Sequence, residues 1–344
     1  MKKLIAVLLV LGLLLALGAC SKTDAPAAQG GSSGGSAPAQ NGGASVSDTS
    51  TVAVGAVILA RDDVNEDEIY AFVAAIFDNV AAITEQHAKG GELDLAFASG
   101  VTSVPYHPGA ARYFQEKGFT VAAVKDGAGT GAKANLTFGT GGDTGTYYGF
   151  GSVLANFVTN KCDFTVTAVT SGGSKANIED MDANDVQLGF AQSDVMSYAY
   201  NGERLFDGAA ITGFSVVAAL YMEQVQIVTT NSAISSVADL KGKTVSIGAV
   251  GSGVYFNAID VLNAYGLTEK DIKPVYQSFG DSADSLKDGK IDAAFIVAGA
   301  PTTAITDLAA SGSVYLVSLD ESHTNALLSA SPFYSAYIIP AGTY

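Results

Sequence analysis

The sequence predicts an α/β fold built as two lobes. Short apolar strands are each followed by a loop rich in glycine, serine and threonine and then by a helix, a pattern that favours mainly parallel sheets with right-handed crossovers. A β-rich stretch without a helix, Leu220 to Thr230, separates these units into two groups. The predicted strands are Leu136 to Phe138, Phe164 to Val169 and Val186 to Phe190 in the first group, and Val245 to Ile247 and Ala293 to Val297 in the second.

The β-rich stretch is typical of a long strand that joins two lobes. We therefore expect a first lobe over residues 51–230 and a second lobe over residues 231–344, with a hinge near residues 228–235. In sheets of this kind, ligands bind beyond the carboxyl ends of the parallel strands. We therefore expect the binding site in the loops after the predicted strands.

The amino-terminal residues predict export and a lipid anchor. A positively charged start is followed by an apolar run from Leu4 to Leu17, which is of signal-peptide length and short for a membrane span. Small residues then precede Cys20, which resembles the lipobox of bacterial lipoproteins. This resemblance implies a signal peptide over residues 1–20 and a lipid on Cys20. The alternative is an ordinary secretory signal with an incidental cysteine.

Residues 21–50 contain almost no apolar side chain larger than alanine. Such a segment buries too little apolar surface to offset the entropy of ordering, so we expect a flexible tether. The folded part then stands outside the cytoplasm, at a cell surface or in a periplasm, held to the bacterial membrane by the lipid.

Composition and motif spacing exclude several classes of function. The net charge of −16 leaves no basic stripe for nucleic acid. The three histidines are far apart in sequence, so we expect no metal site. The glycines after Phe138 miss the dinucleotide-binding spacing, so we expect no cofactor. If Cys20 carries lipid, Cys162 has no disulfide partner and is expected to be a small buried filler, with a reactive thiol as the alternative.

The loops after the strands carry the candidate binding site. Glycine lets backbone approach a ligand, and the first amides of a helix are unpaired donors at the positive end of its dipole. Such loops bind carboxylate or phosphate without a cationic side chain, and no arginine of the chain lies in them. The candidate ligand-binding residues are Gly142, Thr144, Tyr147, Ser171, Gly172, Gly173, Ser174, Asn177, Gln192, Gly251, Ser252, Gly253 and Pro301.

Each of these residues has a structural alternative. The glycines also suit tight turns between strand and helix, and Tyr147 also suits core packing. Ser174, Asn177 and Gln192 also suit helix capping.

Seven stretches of residues 135–344 carry a resemblance to a known family: GTGGDTGTYYGFG, TSGGSKANI, GFAQSDV, LYMEQVQIV, DLKGKTVSIGAVGSG, DGKIDAAF and IIPAGTY. On these stretches, residues 135–344 resemble the TAXI family, the solute receptors of a subgroup of tripartite ATP-independent periplasmic (TRAP) transporters. The resemblance implies a two-lobed, periplasmic-binding-protein-like (type II) fold with a ligand cleft between the lobes. It also implies delivery of a small organic anion, glutamate-like or a dicarboxylate, to TRAP membrane subunits, and we expect a monomer.

The order of segments departs from the family. Residues 51–118 resemble the family's carboxyl-terminal part, yet here they come first, and residues 119–134 form a glycine-containing connector. This is the order of a circular permutant, which is tolerable when the original ends are close and the cut is in an exposed loop. We expect it to leave closure intact but to loosen the hinge and weaken affinity.

Two other classes of function share many of these features. A solute-binding lipoprotein that serves sensing or an ATP-driven (ABC) importer has the same lobes and tether. An enzyme on this scaffold would need a nucleophile and base in mutual reach, which the sequence does not assemble, so we expect no enzyme activity.

Overall fold

The computed structural model describes residues 47–344. The predicted signal peptide, the predicted lipidation site Cys20 and all but the last residues of the predicted tether therefore lie outside the described residues. The strands are β1 Thr49–Arg61, β2 Leu136–Gly139, β3 Val166–Val169, β4 Leu188–Gln192, β5 Phe214–Thr229, β6 Thr244–Ser246, β7 Lys273–Val275, β8 Ala293–Ala298, β9 Tyr315–Leu316 and β10 Ser335–Ile339.

Helices cover these strands and connect them in α/β fashion. Short 3₁₀ turns lie at Ala88–Glu92, Arg204–Phe206, Val237–Leu240 and Glu269–Asp271. The α-helices are α1 Glu66–Phe77, α2 Val80–Gln86, α3 Leu95–Ala98, α4 Pro108–Glu116, α5 Thr146–Lys161, α6 Ser174–Asp182, α7 Ser193–Asn201, α8 Val254–Ala264, α9 Phe279–Lys287, α10 Thr303–Ser311 and α11 Glu321–Ala330.

The strands form one sheet in which the same local order occurs twice. Its path is β3-β2-β4-β1-β5-β8-β6-β7, with β10 paired to β1 and β9 to β5. Parallel strands β3, β2 and β4 lie beside antiparallel β1, and parallel strands β7, β6 and β8 lie beside antiparallel β5. This repeated arrangement confirms the predicted two-lobed α/β fold.

Two long strands run through both lobes. In β1, Val52 and Val54 pack in the core of the second lobe, whereas Ala56 and later residues pack in that of the first. In β5, residues up to Tyr221 belong to the first core and residues from Val225 onward to the second lobe. Strand β5 therefore passes from one lobe to the other between Tyr221 and Val225. This point comes before residues 228–235, for which the sequence predicts a hinge, because β5 is already paired with β8 from Gln224 to Val228.

The segment before the connector completes the first lobe. Helix α1 begins after Asn65, whose side chain accepts from the amides of Asp67 and Glu68. The apolar face of α1 packs against α4 and α5, and its Phe72 meets Phe138 of β2 edge to face. Strand β1 begins at Thr49, two residues before the predicted start, because pairing with Ile339 of β10 extends the ladder there.

Candidate functional site

A cavity of about 70 Å³ lies where the carboxyl ends of the parallel strands of both lobes face each other. At the roughly 10–15 Å³ that a single water needs, this admits several waters or a solute of comparable size. Its wall is built from the residues after the parallel strands and from the middle of β5. The lining residues are Gly141, Gly142, Gly145, Thr146, Tyr147, Ser171, Gly172, Gly173, Ser174, Gln192, Glu223, Ala249, Ser252, Gly253, Val254, Gln277, Ser278, Phe279, Val297 and Ala298.

Helices α5, α6, α8 and α9 begin in this wall. The first amides of a helix lack partners within the helix and lie at the positive end of its dipole, so these ends favour negative charge. The loop before α6 is shaped by Gly173, whose φ of 105° suits glycine, and its amide donates to Ser171 Oγ at 3.0 Å. No lysine or arginine is among the described residues that line the cavity.

Gln192 supplies an acceptor at the meeting of the two lobes. Its backbone amide donates to Ser174 Oγ at 3.1 Å, which joins the ends of β4 and α6. Its side chain is 2% exposed, and Oε1 has no hydrogen-bond partner among residues 47–344. This buried acceptor therefore lacks a partner in the arrangement seen here, with Gly253 of the opposite lobe packed beside it.

Tyr147 and Glu223 form a buried pair in the wall. The Tyr147 hydroxyl donates to Glu223 Oε2 at 2.6 Å, and the Tyr147 ring stacks on Phe190 with centroids 4.5 Å apart. Glu223 lies within the lobe-crossing part of β5 and is 2% exposed. Burial raises the pKa of Glu223 to about 8 and that of Tyr147 well above its usual range.

A second buried acid lies near the first. Asp194, in the first turn of α7, is fully buried, and burial raises its pKa to about 7. Asn257 of α8 donates to Asp194 Oδ2 at 3.0 Å and to the Tyr334 hydroxyl at 2.9 Å. Because Asp194 belongs to the first lobe and Asn257 to the second, this bond links the lobes.

Further contacts across the lobes enclose the cavity. The Ala176 amide of α6 donates to Gly251 O at 3.0 Å, and Thr146 Oγ1 donates to Gly299 O at 3.1 Å. Arg204 and Asp260 form an ion pair on the side of α8. The structure therefore represents the closed arrangement of the two lobes.

Nine of the thirteen candidate residues lie together in the cavity wall. They come from the loops after β2, β3, β4 and β6, which the topology brings to one place as the sequence predicted. These residues are Gly142, Tyr147, Ser171, Gly172, Gly173, Ser174, Gln192, Ser252 and Gly253.

The other four candidates lie outside the wall. Asn177 is buried behind it and donates to Thr140 O and Phe190 O at 2.7 and 2.8 Å, so it ties strand ends together. The Thr144 carbonyl accepts from the Ala304 amide of the opposite lobe. Gly251 accepts the inter-lobe bond described above, and Pro301 is exposed after a cis peptide bond.

Sequence reasoning missed two parts of the wall. Glu223 stands in an apolar strand that we interpreted only as a connection, and its signal was a carboxylate within a run of apolar residues. Gln277, Ser278 and Phe279 follow β7, whose three residues include Pro274 and lie at the sheet edge, so the strand pattern was too weak to detect.

The described residues also bear on other kinds of site. Within residues 47–344, no group of three histidine, cysteine, aspartate or glutamate side chains is close enough to hold a metal. In that same range, no helix is long and apolar enough to cross a membrane. Cys162 is partly buried at the end of α5, and burial raises the pKa of its thiol.

Comparison with protein families gives a match over most of the chain. The sequence model of the NMT1-like family matches residues 36–118 and 138–344, on either side of most of the connector.

Several solved structures are also similar in part. The alkanesulfonate-binding protein SsuA from Xanthomonas axonopodis pv. citri, bound to MOPS, is 22% identical, with 55% of this chain and 62% of that chain covered and a TM-score of 0.39. The periplasmic aliphatic sulphonate binding protein SsuA from Escherichia coli is 19% identical, with 54% and 57% covered and a TM-score of 0.37. Holo ArgBP from T. maritima is 16% identical, with 57% and 86% covered and a TM-score of 0.37. The match thus spans less than two thirds of either SsuA chain.

Proposed function

The chain belongs to the NMT1-like family, and from that premise we propose that it is an extracytoplasmic receptor that captures a small organic anion. The observation that carries this proposal is the cavity between the lobes, lined by residues of both. Such a site binds a solute by closing around it, because the complete set of contacts exists only when both lobes are in place.

The chemistry of the wall supports a carboxylate as the bound group. Four helices begin there, and their first amides together with the glycine loops supply donors without a cationic side chain. The small cavity favours a compact solute, so we propose a glutamate-like compound or a dicarboxylate. The wall residues named above are the proposed ligand-binding residues.

The proposed partner is the membrane subunits of a TRAP transporter of the TAXI type, on the resemblance of the loop sequences. The alternative is a solute-binding lipoprotein for sensing or for an ABC importer. The two importers differ in their source of energy. Solute uptake can be measured in vesicles that hold the membrane subunits. For a TRAP transporter, we expect this uptake to depend on an ion gradient. Uptake that requires ATP would favour the ABC importer.

We further propose that the receptor is held at the outer face of a bacterial membrane by the lipid on Cys20. It acts as a monomer and releases the solute unchanged. Mass spectrometry of the solute after incubation checks the last point, and any turnover would indicate an enzyme instead.

The segment order is proposed to be a circular permutation. Strand β10 pairs antiparallel with the start of β1, and the Ala341 amide donates to Asp48 Oδ1 at 2.9 Å, so the two ends of the described chain are adjacent. The connector packs on α1, where Gly129 O accepts from the Glu66 amide at 3.0 Å. Adjacent ends and a packed connector are what a permuted order requires.

Calorimetric titration with organic acids tests the proposed function. Gly142 lines the cavity, and a Cβ at this position meets no atom within 4 Å, so we expect Gly142→Val to add side-chain volume at the wall and leave less room for a solute. Gly213 offers the same open space outside the cavity and is the matched control. We expect wild type and Gly213→Val to bind and Gly142→Val to bind at least about tenfold more weakly. Equal binding by all three, or none by wild type, would contradict the proposal.

A further inference from the structure

Glu223 places a carboxyl group in the same cavity that we propose holds an anion. Oε2 accepts the hydrogen bond from Tyr147, and the side chain forms no ion pair with any residue of 47–344. The β-strand neighbours contribute only uncharged side chains here, since Val54 of β1 is opposite Glu223 and Val297 and Ala298 of β8 complete the wall.

The charged and titratable groups around Glu223 offer little compensation. Asp194 of α7 adds a further acid, and the tyrosines Tyr147 and Tyr221 have pKa values held well above their usual range by burial. The cation that influences Glu223 is Lys89 of the 3₁₀ turn, whose ammonium is already paired with Glu92.

An ionised Glu223 would therefore repel the carboxylate that the helix ends attract. Two carboxylates in one buried site relieve this repulsion by sharing a proton. The pKa of about 8 that burial gives Glu223 without a solute means that this proton is held at neutral pH.

Resting on the proposed function, we infer that Glu223 is protonated whenever the cavity holds a carboxylate, and that its O–H donates a hydrogen bond to the solute. Near neutral pH this proton is already in place, and above the pKa of Glu223 it comes from solvent and adds to a carboxylate oxygen, while Tyr147 continues to donate to Oε2. Glu223 is then a specificity-determining residue, and at pH values above its pKa it couples capture of an anion to uptake of a proton.

Calorimetry with succinate and glutarate, which have two carboxylates and no amine, tests this inference at pH 7 and pH 9. Both probes are fully ionised at these pH values, so a change in affinity reports on the protein. Since a group with a pKa of about 8 is mostly protonated at pH 7 and mostly ionised at pH 9, we expect about tenfold weaker binding at pH 9. Buffers of different ionisation enthalpy should reveal uptake of nearly one proton for each solute at pH 9.

Three variants assign the proton to its residue. Glu223→Gln keeps an acceptor for Tyr147 and should bind succinate with the same affinity at both pH values and no uptake. Glu85→Gln removes an exposed carboxylate of α2, away from the wall, and should behave as wild type, and Asp194→Asn should keep most of the pH dependence. Thermal unfolding of each variant shows whether it folds. A wild type with equal affinity at both pH values and no uptake, or uptake that survives in Glu223→Gln, would overturn the inference.

A further comparison separates this inference from the proposed function. If amino acids bind and amine-free acids do not, Glu223 is an anion that pairs with an amine, and the proton-coupled account is wrong while the receptor stands. If no organic acid binds at any pH, the proposed function itself is wrong.

Discussion

Buried polar side chains at the cavity divide into those with partners and those without. The Nδ2 of Asn177 is fully buried and donates to two strand-end carbonyls, so it holds β2 and β4 in place, whereas its Oδ1 has no partner among the described residues. Gln192 Oε1 has no partner among the described residues and lies in the wall. The first kind of atom stabilises the site, and the second kind retains an unused hydrogen-bonding capacity.

Asn177→Ala tests the structural role. It removes the Asn177 donor from two buried carbonyls, at about 1–3 kcal/mol each, so we expect the free energy of unfolding to fall by roughly 2–6 kcal/mol in chemical denaturation. Asn325→Ala, at an exposed position of α11, is the matched control and should change it by less than about 0.5 kcal/mol. Equal stability of the two variants would show that Asn177 does not hold the strand ends.

Gly253→Ala tests closure from the other lobe. A Cβ there would lie within 3.0 Å of Gln192 Oε1 and Ser174 Oγ, both of the first lobe, so it obstructs only the closed arrangement. We expect solute affinity to fall about tenfold in calorimetry, because overpacking at such a contact costs roughly 1–3 kcal/mol. Gly213→Ala should bind as wild type does. A Gly253→Ala protein with unchanged affinity would mean that this contact is absent from the bound state.

At the scale of elements, the strand-loop-helix units of both lobes could be predicted because apolar runs and hydroxyl-rich loops alternate. The structure confirms all five predicted strands to within about two residues at most ends. Strand β7 could not be predicted, because three residues with a proline at a sheet edge leave almost no pattern. Glu223 was missed for another reason: its role depends on which strand faces the cavity, which only the topology of β5 reveals.

The paired strands β10 and β1 give the element-scale prediction. A reordered chain that joins Tyr344 to Asp48 and begins at Asn135 restores a covalent hairpin between strands that already pair. We expect the reordered chain to adopt the same fold as the present chain. It should bind an organic acid more tightly, because the restored connection limits motion where β1 passes between the lobes. Calorimetric titration of both chains measures the difference. Equal affinities would contradict the proposed loosening of the hinge.

At the scale of the whole molecule, closing the lobes buries two acids near each other. Burial raises the pKa of Asp194 to about 7 and that of Glu223 to about 8, from ordinary values of 3.8 and 4.5. The folded protein therefore holds protons that the unfolded chain releases between pH 4 and pH 8. Across this window the free energy of unfolding must fall as the pH rises.

Chemical denaturation at pH 6 and pH 9 checks this linkage. From pH 6 to pH 9, the unfolding free energy of wild type should fall by about 1 kcal/mol or more beyond the fall seen in a double variant. This variant, Asp194→Asn with Glu223→Gln, lacks both titrating groups. In thermal unfolding the same difference is roughly 2–4 °C. Parallel pH profiles of the two proteins would contradict the assignment of this linkage to the buried acids.

Native mass spectrometry of the purified chain tests most directly whether the cavity between the lobes holds a small organic anion. Wild type and Gly213→Val are predicted to carry one acid for each chain, retained in gentle ionisation and released on denaturation, whereas Gly142→Val is predicted to be empty. A wild-type chain that stays empty against a panel of organic acids, or a Gly142→Val chain that carries the acid equally well, would contradict the account.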